Sequence, residues 1–312
     1  MTGGDIMGNY GLAFIAVFIL TLILIYGLMN YLPKDKGKEF AVNGDKSKGK
    51  PRGAGIIFIS SFALFSAIVT DFDMITILYI AFALLSMLTG YLDDISKMDW
   101  GRLKKGLLDL VISLGLAYTL VYLDDVETNF YLINISVEIP QLMLFILSAC
   151  LVWLSINVTN CSDGVDGLSG SLSIITLLSV LLFQDHANSV YLLVVLVASI
   201  LAYLVFNTSP STLMMGDAGS RPIGVLIALF FIKAGIIYLY PLLAFVLLLN
   251  GGLGLAKISI IKLFKRNLLS FVRTPLHDHA RKKYMWSDSQ VVFRFSVIQI
   301  IINVLIISLL IN

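Results

Sequence analysis

QLMLFILSACLVWLSINVTNCSDGVDGLSGSLSIITLLSVLLF, residues 141–183, is apolar at both ends and polar in the middle. The first arm is close to the length that a helix needs to cross about 30 Å of hydrocarbon. The middle, NCSDGVDGLSGS from Asn160, places two aspartates three residues apart among glycines. The stretch therefore reads as a span, a polar turn and a second span. A soluble core would gain nothing from apolar arms of this length, and a bilayer tolerates the acids only at its rim or inside the protein.

The same alternation continues in both directions. The chain has 312 residues, of which 58% are hydrophobic and 13% charged. A soluble domain carries about 25% charged residues, so composition excludes two or three soluble domains. The apolar runs fall at about 10–32, 53–70, 74–92, 107–123, 139–158, 170–183, 190–206, 222–235, 237–252 and 290–311. They predict an all-α polytopic membrane protein of about ten transmembrane helices, organised as a single domain over residues 1–312. The first run, YGLAFIAVFILTLILIYGLMNYL, is too long for a signal-peptide core and is read as a retained span. Cys150 and Cys161 supply no disulfide or metal pattern, and Cys150 reads as a small packing residue.

Charge orients the spans. Basic residues collect in 31–52, in 93–106 and in 253–289. The intervening connections hold Asp71, Asp73, Asp124, Asp125, Glu127, Glu138 and Asp185, with no lysine or arginine. The positive-inside rule puts the basic connections in the cytoplasm and both termini outside. The fragments YLDDISK, NCSDGVDGLSGS, MMGDAGS and RTPLHDHARKK then share the cytoplasmic face. Four polar clusters far apart in sequence could thus form one site.

The chemistry of these clusters is acid plus glycine. Asp93 and Asp94 close the third span, Asp163 and Asp166 open the sixth, and Asp217 follows the seventh. Glycine lets a backbone turn and approach a ligand closely, and helix N-termini attract phosphate. Bare carboxylates would repel phosphate, and a hard divalent cation reconciles the two. Mg²⁺ takes one or two protein carboxylates and completes its shell with substrate phosphates. Lys46, Lys48, Lys50 and Arg52 could bind a diphosphate or anionic lipid head groups. His277 and His279 flank Asp278 and could orient a phosphate, a nucleotide or a proton-transfer partner.

Each cluster also has a plain structural reading. Asp93 with Asp94 could cap the next helix, Asp163 could be an N-cap, and the glycines could simply form turns. Asp109 reads as a structural acid in the fourth span, and GLGLAKISIIKLFKRN from Gly252 as a basic amphipathic stretch along the inner interface. Asn43–Gly55 lacks the nucleotide P-loop pattern. Pattern alone yields a membrane protein that handles metal and phosphate.

Together the fragments resemble the polyprenyl-phosphate N-acetylhexosamine-1-phosphate transferases, and among these the phospho-N-acetylmuramoyl-pentapeptide-transferases of bacterial peptidoglycan synthesis. YLDDISK resembles the paired-aspartate motif, NVTNCSDGVDGLSG the N-x-x-N-x-x-D-G-x-D-G-L motif, FNTSPSTLMMGDAGS the segment ending in M-G-D-T-G-S, and TPLHDHARKK the three-histidine motif. The resemblance covers most of the chain. It implies Mg²⁺-dependent transfer of phospho-N-acetylmuramoyl-pentapeptide from UDP-N-acetylmuramoyl-pentapeptide to undecaprenyl phosphate, with release of UMP. It implies catalytic roles for Asp93, Asp94 and Asp217, with Asp217 as the metal ligand. It implies substrate binding by Asn160, Asp163, Asp166, Asn207, His277 and His279, and by Lys46 or Lys48.

Two departures stand out. Asp278 replaces the middle histidine and could pair with Arg281 or Lys282. GKPRGAG from Gly49 replaces G-T-P-T-M-G-G, and the lysine that usually precedes it falls on Ser47. A lipid phosphate is already ionised near neutrality, so a one-step displacement is preferred to a covalent aspartyl-phosphate. The resemblance also implies a multi-pass protein of the bacterial plasma (inner) membrane, contacts with membrane lipids, and no nucleic-acid partner. The aliphatic last span could serve packing or a homodimer. The alternatives are a sibling that transfers N-acetylglucosamine-1-phosphate to the same lipid, and a magnesium or organophosphate transporter.

Overall fold

The computed structural model describes residues 3–35, 37, 47–71, 73–96, 98, 100–128, 139–266 and 269–311. Helices make up the architecture. They are α1 (Gly3–Leu28), α2 (Gly55–Val69), α3 (Met74–Asp94), α4 (Arg102–Tyr118), α5 (Gln141–Ser162), α6 (Leu168–Leu181), α7 (Ala187–Asn207), α8 (Asp217–Lys233), α9 (Tyr240–Leu243), α10 (Phe245–Phe264), α11 (Leu276–Lys283) and α12 (Asp288–Ile311). Among the described residues seven helices are long and apolar enough to cross a membrane, and α2 and α6 are shorter apolar helices. The protein is an all-α polytopic membrane protein.

The structure moves three expected boundaries. Helix α3 runs on through Asp93 and Asp94, so both acids sit on its last turn rather than beyond it. The fourth span begins at Arg102 and ends in a π-helical turn, Thr119–Leu123. The expected ninth span is broken: a 3₁₀ turn (Ile237–Leu239) and α9 precede α10, which continues through Gly251 and Gly252 to Phe264. Gln299 of α12 explains the break at Ala244. Its amide accepts from the Val246 N–H at 2.6 Å and donates to the Leu243 carbonyl at 2.9 Å. These are the backbone groups that a broken helix would otherwise leave unpaired in an apolar setting. Cys150, expected as a packing residue, is exposed on α5. A small thiol suits lipid as well as a protein core.

Helix α8 is the axis of the bundle. It is buried from Asp217 to Ile232 and packs against α2, α3 and α5. Close approach explains how its charged end fits there. A Cβ on Gly90 of α3 would lie 2.3 Å from the Asp217 carbonyl oxygen, and one on Gly55 of α2 would lie 2.1 Å from the Gly219 nitrogen. Small residues let helix backbones touch, which is how membrane helices associate when lipid is as apolar as leucine. Farther along the same helices, the Tyr79 hydroxyl donates to Asp124 at 2.6 Å, and Lys233 pairs with that carboxylate. Helices α3, α4 and α8 are thus tied at both ends.

Gly90→Ala should force α3 from α8, because overpacking of this kind costs about 1–3 kcal/mol and here the obstacle is backbone. Thermal unfolding in detergent should show a lowered Tm. Gly11→Ala is the control, since nothing lies within 4 Å of the added methyl, and its Tm should match the parent's.

Candidate active site

The amino end of α8 organises the site. Asp94 caps it from another helix: its two oxygens accept from the Asp217 N–H at 3.1 Å and the Ala218 N–H at 3.0 Å. A carboxylate there satisfies two free amides and faces the positive end of the helix dipole. Gly216 makes the approach feasible, with φ +67° and no side chain. A Cβ would lie 2.2 Å from Asp94 Oδ2.

Two cations hold the acids together. Arg52 reaches Asp94 at 2.9 Å, Asp35 at 3.2 Å and Asp217 at 3.7 Å. Burial works against its charge, but the three carboxylates outweigh that and hold the guanidinium well above its ordinary pKa. Lys105, in the first turn of α4, bridges Asp93 at 2.5 Å and Asp217 at 2.9 Å. Asp93 also accepts from the Trp100 N–H at 2.6 Å. The paired aspartates are therefore spent on a helix end, a loop and two cations, and neither lines the adjoining cavity.

That cavity measures about 690 Å³. Asp35, Asp163, Asp166, Asp217, Asp278 and Asp288 line it, against Lys50, Arg52 and Arg281 as fixed cations. Among the described residues the wall thus carries a surplus of three formal negative charges. Burial, reinforced by Asp217, Asp94 and Asp166 against the opposing Arg52, pushes the Asp163 carboxyl up to about 7. Asp166 accepts from the Ser211 N–H at 3.0 Å and lies 3.7 Å from Lys50. Asn160 donates to Ser220 at 3.0 Å. Asn207 is a fastener: it accepts from the Gly167 N–H and donates to the Leu213 carbonyl, both at 2.8 Å.

The facing wall is α11. Asn250 Oδ1 meets the His277 backbone N–H at 2.9 Å and Nδ1 at 3.0 Å. Burial, helped by Arg281 and opposed by Asp278, lowers the imidazole to about 4. The ring is neutral at pH 7, donates from Nδ1 and keeps Nε2 as an acceptor beside Gly164. Asp278 pairs with Arg281 at 2.8 Å, and Arg281 reaches Asp288 at 3.0 Å. The replaced histidine position is thereby neutralised within its own helix.

Of the expected site residues, the cavity gathers Asp217, Asp163, Asp166, Asn160, Asn207 and His277, with Asp93 and Asp94 behind its wall. His279 lies outside the wall, where Nδ1 accepts from the Arg273 N–H at 3.1 Å and the ring packs on Tyr284. Lys48 is exposed and also lies off the wall, and Lys46 falls outside the described residues. Lys50 and Arg52 face the cavity instead. Backbone bonds from Asp35 to Lys50 and from Arg52 to Pro33, each 2.8 Å, set which side chains of that loop point inward. Lys105 and Asn250 carried no local signal: one looked like a flanking charge, the other like a polar break in a span.

The family described as Glycosyl transferase family 4 matches residues 54–235. A phospho-N-acetylmuramoyl-pentapeptide-transferase of Treponema pallidum (strain Nichols) is 36% identical over 311 residues, covering 93% of this chain and 86% of that protein.

The chain belongs to the phospho-N-acetylmuramoyl-pentapeptide-transferase family.

Relatives bearing the same name from Dictyoglomus thermophilum and Listeria welshimeri are each 29% identical and cover 93% and 90% of this chain. The family match begins at Ala54 and ends at Gly235, so it takes in the Asp93–Asp94 pair, the Asp163 turn and Asp217 but stops short of the His277 wall.

Lys105→Met should lower turnover about 10²-fold, the scale for losing one preorganised charge. Lys48→Ala should stay within about twofold, which steady-state assay of both variants would check.

Proposed function

We propose that this chain transfers phospho-N-acetylmuramoyl-pentapeptide from its UDP donor to undecaprenyl phosphate, giving lipid I and UMP. The observation that carries the reading is Asp217 at the capped amino end of α8, facing an acid-rich cavity, in a chain 36% identical to a transferase of that name. A lipid phosphate oxygen attacks the phosphorus that bears the sugar. The bond from that phosphorus to the bridging oxygen breaks, and UMP leaves with the electron pair. An ionised phosphate needs no general base, and the oxygens of Asp93 and Asp94 are already engaged. One displacement is therefore favoured over an aspartyl-phosphate.

Among the described residues no three acid, histidine or cysteine side chains converge as a ready-made metal cage. That suits Mg²⁺, which uses few protein carboxylates and takes its remaining ligands from phosphate and water. The donor set fits: Asp217, now paired with Lys105, would hold the ion. When bound, Mg²⁺ neutralises the diphosphate and stabilises the leaving oxygen. Lys50 and Arg52, which line the cavity, supply fixed positive charge where the departing UMP gains negative charge. Asp278 is satisfied by Arg281 and so does not repel the donor.

The same reading has ten crossings in one domain, both termini extracytoplasmic, and the cavity facing the cytoplasm of a bacterial plasma membrane. The basic connections support it through the positive-inside rule. The exposed apolar side of α12, with Phe293, Ile301, Val304 and Leu309, meets lipid or a second copy of the chain.

Purified protein with undecaprenyl phosphate and Mg²⁺ should release UMP from UDP-N-acetylmuramoyl-pentapeptide. It should release none from UDP-N-acetylglucosamine; product from that donor alone would make the chain the sibling enzyme. Asp217→Asn should cut turnover by at least about 10²-fold. An unchanged rate would remove Asp217 as the metal ligand.

A further inference from the structure

Helices α4 and α8 carry a crossed pair of ion pairs. On α4, Lys105 and Asp109 are four residues apart; on α8, Asp217 and Arg221 are four apart. Residues at that spacing lie one above the other on a helix face. Lys105 meets Asp217 at 2.9 Å. One turn deeper, Asp109 accepts from Arg221 Nε at 3.1 Å and pairs with Nη2 as well. The first rung has its cation on α4, the second on α8.

The deeper rung has no evident place in the chemistry. The side chains of Asp109 and Arg221 are only 4% and 2% exposed, and neither lines the cavity. A buried pair stabilises little, since two apolar residues of similar volume commonly do as well or better. Arg221 is also incompletely satisfied: its Nη1 is buried and has no hydrogen-bond partner among the described residues. A guanidinium with a donor to spare therefore sits one helical turn from the carboxylate placed at the centre of the site.

The nearest acid on its own helix is Asp217. Were Arg221 to turn toward it, the carboxylate would be held by a planar, bidentate partner from beneath. Its present partners are different. Lys105 and Arg52 are 28% and 15% exposed, and Arg52 stands at 3.7 Å. Partners with access to the cavity can give way to an arriving cation, whereas an arginine sealed in the bundle cannot leave.

We propose that Asp109 is a positioning residue: it holds Arg221 away from Asp217 and so keeps that carboxylate exchangeable for the divalent cation. The inference rests on the reading of Asp217 as the metal ligand. Asp109 touches no substrate; it acts through Arg221.

The test uses full-length protein in detergent and Mn²⁺ as the probe, with bound ion measured by electron paramagnetic resonance. Half-saturating Mg²⁺ for turnover is measured in parallel. Asp109→Asn should weaken Mn²⁺ binding about tenfold and raise half-saturating Mg²⁺ by a similar factor. Adding Arg221→Met to that variant should restore both to within about twofold of the parent, because the competing guanidinium is gone. A merely structural pair predicts the reverse, with the double variant at least as impaired as the single one. The double variant removes charge in a balanced way and remains informative if the single variant fails to fold. Parent-like Mn²⁺ affinity in Asp109→Asn, or a tenfold loss in the double variant, would overturn the proposal. If the parent and Asp217→Asn bind Mn²⁺ equally, the underlying metal assignment has failed instead.

Discussion

The site depends on where one helix is allowed to begin. Helix α8 is buried over nearly its whole length, so its first free amides would be costly unless something accepted from them. Asp94 does so from the last turn of α3. That contact fixes the direction of Asp217, brings Arg52 into the acid cluster and draws α3 against α8 closely enough that only glycine fits at position 90. The cap, the cluster and the cavity floor form one arrangement. The paired aspartates build the wall behind the cavity.

Electrostatics follows from that arrangement. Among the described residues six aspartates and three fixed cations line the cavity, an imbalance that would repel a diphosphate arriving alone. In the proposed reaction a divalent cation would offset the charge of the diphosphate and so lessen that repulsion. The facing wall adds no positive charge through His277, whose buried ring is neutral and donates from Nδ1 to Asn250.

Much of this was readable from residue order. Apolar runs placed the helices, the alternation of basic and acidic connections put four polar clusters on one face, and the glycines at 164, 167 and 216 marked the turns where those clusters sit. What the chain concealed was direction. Lys48 looked as good as Lys50 and Arg52 because the pattern of the loop does not reveal which side chains turn inward; its pairing with Pro33–Asp35 does. Lys105 resembled a flanking charge until α4 met α8. Asn207, expected from the resemblance to bind substrate, lines the cavity and also fastens two backbone groups, a role that residue order did not reveal. The break at Ala244 was invisible because its cause, Gln299, lies far along the chain.

The ties among α3, α4 and α8 divide the molecule mechanically. Helices α3, α4 and α8 are joined near the cavity by Asp94 and Lys105 and at the far end by Tyr79, Asp124 and Lys233, and Asp109 with Arg221 adds a tie between α4 and α8 one turn below the first. A block pinned at three levels resists both tilting and sliding. The opposing wall hangs on less: Asn250 holds His277, and Arg281 holds Asp278, Asp288 and the Gly164 carbonyl. The acidic half of the cavity thus behaves as an anvil, and whatever yielding a bulky lipid and a nucleotide sugar require falls to α11, since α10 itself lies close against α5 at Gly251 and Val158.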